Sequence, residues 1–343
     1  MGEAELQNVQ RAVHSGGVPA AAVACYARWW QLETYVREVV YTELRTKFGS
    51  DWPKELGERA VIRAEGDRVN RYMASADAED LLSYADASMQ FNAIERHWEL
   101  FEAVLLPRVR WQGQVDTLSS VRHRIAHCRR PHPDDLARIE QVLRDLEGGA
   151  RVFYASYADT AHRLRERDDP LVDAWIRRGH EAAARLIDHC ERNYDTRFSL
   201  RYSLRPWAKA PEPEAAVSGH EGAIWHAGWI MGSREINPER LWKRLRSQTQ
   251  NLILHLLVEG GGLTATFAAS EPAAEVADAI GDVFDSLIMT SRLYQPEGGM
   301  ERVDAEIEQM RRSVARLPSK VQYLSALSMF DPAEPEAFTL FAA

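Results

Sequence analysis

The spacing of apolar residues changes once along this chain, and that change constrains the fold more than any other feature. Up to about residue 195 the apolar positions recur every three to four residues, as in Trp29, Leu32, Val36, Val39, Val40 and Leu44, the period of a helix with one buried face. From Phe198 the alternation is strict, Phe198-Ser199-Leu200-Arg201-Tyr202-Ser203-Leu204-Arg205, the period of a strand with one wet face, here bearing Arg201 and Arg205. At 343 residues the chain exceeds the roughly 250 to 300 at which single cores stop growing. It therefore divides into an all-helical domain over 1–150, connecting helices over 151–195 and an α+β domain over 196–343. The fold class expected is mainly α, with a C-terminal small antiparallel sheet backed by helices.

Punctuation sets the elements. The first long helix spans about Val18 to Phe48, with Pro19 near its start and Gly49 past its end. Trp29-Trp30 within it reads as core packing or a dimer contact rather than a surface for stacking a ligand. A second helix opens at Asp51-Trp52-Pro53 and runs raggedly toward Met73, and a third pattern runs from Leu81 to Val104, halted by Pro107. Pro131-His132-Pro133 breaks the next helix. Another begins at Asp134-Asp135, whose acids suit its positive end, and stops at Gly148-Gly149. Helices at about Ala150 to Arg167 and Pro170 to Arg192 follow. After the strand at Phe198 comes a Pro-rich loop from Ala208 to Ser218, then strands near Ile224 to Met231, Leu252 to Glu259 and Leu263 to Ala269. The last two are joined through Gly260-Gly261-Gly262. Helices are expected at Asn237-Pro238 to Leu245, Pro272 to Arg292, Met300 to Leu317 and Lys320 to Met329.

Composition narrows the function. With 45% hydrophobic and 27% charged residues the chain has an ordinary globular balance. It holds no run near the roughly 18 apolar residues that span a bilayer, so no membrane partner is expected. The N-terminus lacks the pattern of a secretion signal. Cys25, Cys128 and Cys190, odd in number and widely spaced, fit a reducing compartment, and a cytoplasmic location is expected. A net charge of −9 opposes indiscriminate binding of polyanions. Yet between Arg108 and Arg130 six arginines face the single acid Asp116, a basic island suited to one confined anion.

That island contains Leu118-Ser-Ser-Val-Arg-His-Arg-Ile-Ala-His-Cys-Arg-Arg-Pro-His132. On a helix, Leu118, Val121, Ile125 and Cys128 form one stripe facing the core, while His123 and His127 lie roughly 180° and 140° from its centre, among Arg122, Arg124, Arg129 and Arg130. Outward imidazoles beside guanidinium forks suit phosphate chemistry near neutral pH. The same residues also fit a plain polar helix face.

The run Val121-Arg122-His123-Arg124-Ile125-Ala126-His127 resembles the motif of the HEPN superfamily: an arginine, a polar residue, then three positions before a histidine. Four residues separate Arg122 from His127, the short end of the family's range. The resemblance, taken over about residues 18 to 150, implies an N-terminal HEPN-like helical bundle with a metal-independent endoribonuclease site. An RNA 2′-hydroxyl would attack the neighbouring phosphate, leaving a 2′,3′-cyclic phosphate. His127 would serve as general base or acid, Arg122 would stabilise charge on phosphorus oxygens, and His123 would orient phosphate or share proton transfer. Arg124, Arg129 and Arg130 would hold the RNA backbone. No metal or other cofactor is implied. Arg122 and His127 lie about 140° apart around a regular helix, so the family's composite cleft between two copies is expected, in a homodimer built on the N-terminal helical domain. The family also implies a role as a toxin or anti-phage abortive-infection effector, with an antitoxin or trigger protein as a possible partner. Where silenced HEPN toxins carry a tyrosine two positions after the motif histidine, this chain has Arg129, which argues against control by modification there.

Three rival readings remain open. His123 and His127 at i, i+4 with His132 nearby could bind a metal, although four arginines make a poor setting for a cation. The domain could be a non-catalytic HEPN module for nucleotide or RNA binding and dimerisation. Cys128 beside His127 could be a nucleophile, but its position in the stripe predicts burial.

Overall fold

The computed structural model describes residues 3–69, 81–161, 164–232, 234–259, 261–293, 300–329 and 341. In the N-terminal half the helices are α1 (Glu3–Ser15), α2 (Ala20–Phe48), α3 (Glu58–Val69), α4 (Ala87–Arg96), α5 (Trp98–Phe101), α6 (Arg108–Ala126) and α7 (Asp135–Ala158). The helix expected from Asp51 is instead a 3-10 turn over Gly49–Glu55 followed by α3; Met73, its expected end, lies outside the described residues. The core of this half gathers Leu32, Val36, Val39 and Leu44 of α2, Leu118 and Val121 of α6, and Ile139, Val142 and Leu146 of α7.

Two helix boundaries differ from expectation for identifiable reasons. Gly148-Gly149 does not stop α7, which continues unbroken to Ala158. A Cβ on Gly149 would stand 2.4 Å from the Val104 carbonyl oxygen, so the glycine is there to let the helix pass that backbone. The helix expected from Pro170 to Arg192 is two, α8 (Pro170–Trp175) and α9 (Glu181–Tyr194). Between them Arg178 takes φ +63°, and His180 caps α9 by accepting from the Ala182 N–H at 3.2 Å.

The C-terminal half contains β1 (Thr196–Leu204), β2 (Ala223–Met231), β3 (Arg234–Glu235), α10 (Pro238–Arg244), α11 (Ser247–Leu252), β4 (Ile253–Glu259), β5 (Gly262–Ala268), α12 (Ala273–Thr290), β6 (Arg292–Leu293), α13 (Met300–Val314), β7 (Val321–Tyr323) and α14 (Ala326–Met329). Strand order in the main sheet is β1-β2-β5-β4-β7, and β3 pairs with β6 separately. Neighbours β1, β2, β5 and β4 are antiparallel, with Tyr202 opposite Trp225 and Trp225 opposite Phe267. The sheet is mixed, however, because β7 joins β4 in parallel. β7 occupies sequence expected to be helical, and its Val321-Gln322-Tyr323 pattern is the alternation that a three-residue strand leaves too short to notice.

Both faces of this sheet are covered. Trp225, Ala227, Trp229, Leu256 and Val258 pack with Ile280, Val283, Phe284 and Leu287 of α12. Ile224, Leu254 and Leu257 instead join the core of the helical half. The expectation of a wet face on β1 fails for this reason. Arg205 is fully buried and its Nε donates to Glu43 Oε1 of α2 at 3.0 Å, while Arg201 is half-buried.

Candidate functional site

The motif sits at the C-terminal end of α6. Leu118 and Val121 are buried, as the stripe requires, and Ile125 is half-buried. The helix ends at Ala126, with His127 as its cap. The Arg129 N–H donates to the Arg124 carbonyl at 2.9 Å and the Cys128 N–H to that of Ile125 at 3.2 Å, the paired bonds that close a helix through one left-handed residue. That residue is Cys128, at φ +50°. Cys128 is exposed rather than buried, because the helix stops before the stripe reaches it.

His123 and His127 are both exposed. Their rings lie parallel, 4° apart in tilt, with centroids separated by 6.0 Å, so two imidazoles face solvent side by side. Arg129 and Arg130 are also exposed. Arg122 is half-buried and turns the other way, into a pocket of about 240 Å³ between α6 and α2 that Tyr26, Trp30, Arg37 and Ile125 also line. Neither histidine is among the residues lining that pocket.

Arg124, expected on the RNA backbone, is engaged within the protein. Its Nε donates to Asp135 Oδ2 at 2.7 Å and its Nη2 to Asp135 Oδ1. Asp135 is buried and also accepts from the His132 N–H at 2.9 Å. The Arg124 hydrogen bond holds the Asp135 carboxyl below its ordinary range and, reciprocally, raises the arginine. This fork staples the last turn of α6 and the turn after it to the start of α7. The sequence offered Asp135 only as a first-turn acid.

His132 lies in that turn, its Nδ1 accepting from the Asp134 N–H at 3.3 Å. Among the described residues, no three His, Cys, Asp or Glu side chains stand where they could share a metal ion.

A larger cavity, about 610 Å³, lies between α2 and the sheet, lined by Arg37, Glu38, Tyr41, Arg45, His255 and Lys320 among others. Burial raises the Glu38 carboxyl, against hydrogen bonds from Gln322 and Tyr154 that lower it. Burial pushes the His255 imidazole down to about 3, so that ring is neutral at pH 7. Thr34 and Arg37 line this cavity and the smaller pocket alike.

Residues 30–147, which hold the whole of α6 and most of α2 and α7, match the family described as Swt1-like HEPN. This segment, about a third of the chain, is a HEPN domain. A HEPN domain is a ribonuclease or nucleotide-binding module. In this one the match opens at Trp30, inside α2, and closes at Glu147, inside α7, so it enters later than the resemblance over 18 to 150 and ends close to it. No curated protein and no solved structure matches the chain. No helix among the described residues is long and apolar enough to cross a membrane.

Proposed function

We propose that this HEPN protein is a metal-independent endoribonuclease acting through Arg122, His123 and His127. The observation that carries the reading is the open, parallel pair of imidazoles at the end of the helix that holds Arg122, within a HEPN domain. In the proposed reaction one imidazole accepts the 2′-hydroxyl proton as the 2′-oxygen bonds to phosphorus. The P–O5′ bond breaks, and a protonated imidazole supplies the proton that the departing 5′-oxygen needs. Arg122 stabilises the charge gathering on the phosphorus oxygens, and exposed Arg129 and Arg130 hold the flanking backbone. Arg124 acts at one remove, through Asp135, by fixing where α6 ends.

Arg122 lines the α2 pocket and the histidines lie outside it, so the proposal includes a homodimer in which a second copy brings its own motif to the same phosphate. A cytoplasmic toxin or anti-phage effector, restrained or released by another protein, is the role we propose for such an enzyme. The test is incubation of RNA with the purified protein in EDTA, beside His127→Ala and Arg122→Ala. Cleavage by the parent, lost by about a hundredfold or more in either variant, supports the reading. RNA bound but left intact by all three overturns it in favour of a binding module.

A further inference from the structure

We infer that the pocket between α2 and α6 is a nucleotide subsite, where one unpaired RNA base stacks on Trp30 and Tyr26 while Arg122 and Arg37 hold its phosphate. The inference rests on the ribonuclease reading and adds to it a place for the substrate beside the motif. Neighbouring Trp29 and Trp30 have opposite fates. Trp29 is buried and its Nε1 donates to Glu33 Oε2 at 2.6 Å, whereas Trp30 is 61% exposed and Tyr26, one turn earlier, 54%. Their rings sit 6.3 Å apart, leaving two aromatic faces in water at the mouth of a pocket. Packing of α2 explains Trp29 but not this pair.

The charges beside the rings complete the recognition. Arg122 opens into the pocket from α6. From α2 comes Arg37, whose buried Nε has no hydrogen-bond partner among the described residues and whose Nη2 donates to Glu33 Oε1 at 3.4 Å. A phosphate oxygen would give this guanidinium a further anionic acceptor beside the long contact to Glu33. Glu33, also at the pocket, is an acceptor suited to an N–H on a base edge. Aromatic faces next to guanidinium groups are how single strands are held, since every base offers a π-face and each nucleotide a charge. A base paired within an RNA duplex is not free to stack in this way. The volume, about 240 Å³, falls below the roughly 300 to 1,000 Å³ of pockets for drug-sized ligands and suits one base rather than a stacked pair.

The test uses the full chain carrying His127→Ala, which leaves RNA uncut, and a fluorescently labelled single-stranded RNA in EDTA. Trp30→Ala is expected to weaken binding by about tenfold, with Trp30→Phe recovering most of the loss and Arg37→Gln also weakening it. An abasic site scanned along the RNA should cost as much at one position, and should cost nothing further there in Trp30→Ala, as a shared contact requires. Unchanged affinity in Trp30→Ala, or additive losses at every abasic position, would overturn the subsite while leaving the nuclease reading intact. So would a fall in sedimentation mass accompanying the lost affinity, because the ring would then be a contact between copies. If the His127→Ala protein binds no RNA and the parent cuts none, the ribonuclease reading fails and the subsite with it.

Discussion

Arg122 and Arg124 stand two residues apart on α6 and have different environments. Arg122 meets a pocket; Arg124 is forked onto a buried carboxylate. Charge-assisted hydrogen bonds of this kind contribute about 1.5 to 3 kcal/mol. Asp135→Ala is therefore expected to lower stability by about 2 kcal/mol in a denaturant titration, with Arg124→Ala costing a similar amount and the double variant much less than their sum. Cleavage should fall in both singles through displacement of His127, and RNA affinity should change less than when Arg129 or Arg130 is replaced. The outward direction of His123 and His127 was legible because Leu118 and Val121 fix the phase of the helix. The role of Arg124 was not, since its partner lies eleven residues on, beyond a turn whose path no local pattern prescribes.

At the scale of single elements, the two adjacent glycines of α7 separate local preference from tertiary demand. Gly148 has open space where a Cβ would go, whereas a Cβ on Gly149 would strike the Val104 carbonyl. Gly148→Ala should thus stabilise the protein by roughly 0.5 to 1 kcal/mol through helix propensity. Gly149→Ala should destabilise it by about 1 to 3 kcal/mol as helix and loop are forced apart. Opposite shifts in thermal midpoint would check the pair. Read locally, Gly148-Gly149 is a stop signal, and the structure shows instead a helix passing close to another backbone. Long amphipathic helices such as α2 were legible almost to the residue. The left-handed turn at Cys128 after α6 was not, because such a residue is usually glycine and the cysteine gave no such sign.

Across the whole molecule, a buried polar layer joins the HEPN helices to the sheet. Arg205 and Glu43 pair with both side chains fully buried, Trp207 Nε1 donates to Glu43 Oε2 at 2.7 Å, and Tyr157 Oη donates to Thr266 Oγ1 at 2.8 Å beside His255 and His226. This layer was hidden in the sequence, where alternation in β1 implied solvent on one side; a strand cannot announce that a second layer will cover its polar residues. Burial, reinforced by Arg205, lowers both imidazoles from the ordinary 6.5 to about 3. The folded state therefore keeps them neutral while the unfolded chain takes up protons below about pH 6.5. Their contribution is intact above that pH and is lost as pH falls toward 3, at about 1.4 kcal/mol per pH unit for each histidine. Glu38, raised by burial, works in the opposite sense, so the informative quantity is the difference between proteins: His255→Gln should show a shallower loss of stability between pH 6.5 and 5 than the parent. The Arg205–Glu43 pair also links the sheet region to α2, the helix that carries Trp30 and Arg37 beside the motif. Whether RNA is cut at the motif by attack of the RNA's own 2′-hydroxyl is read from the ends of the products formed in EDTA. The expected ends are a 2′,3′-cyclic phosphate and a 5′-hydroxyl, both absent with His127→Ala and with RNA bearing a 2′-deoxy residue at the scissile position. A 5′-phosphate product, or cleavage that persists through the 2′-deoxy position, would contradict that attack.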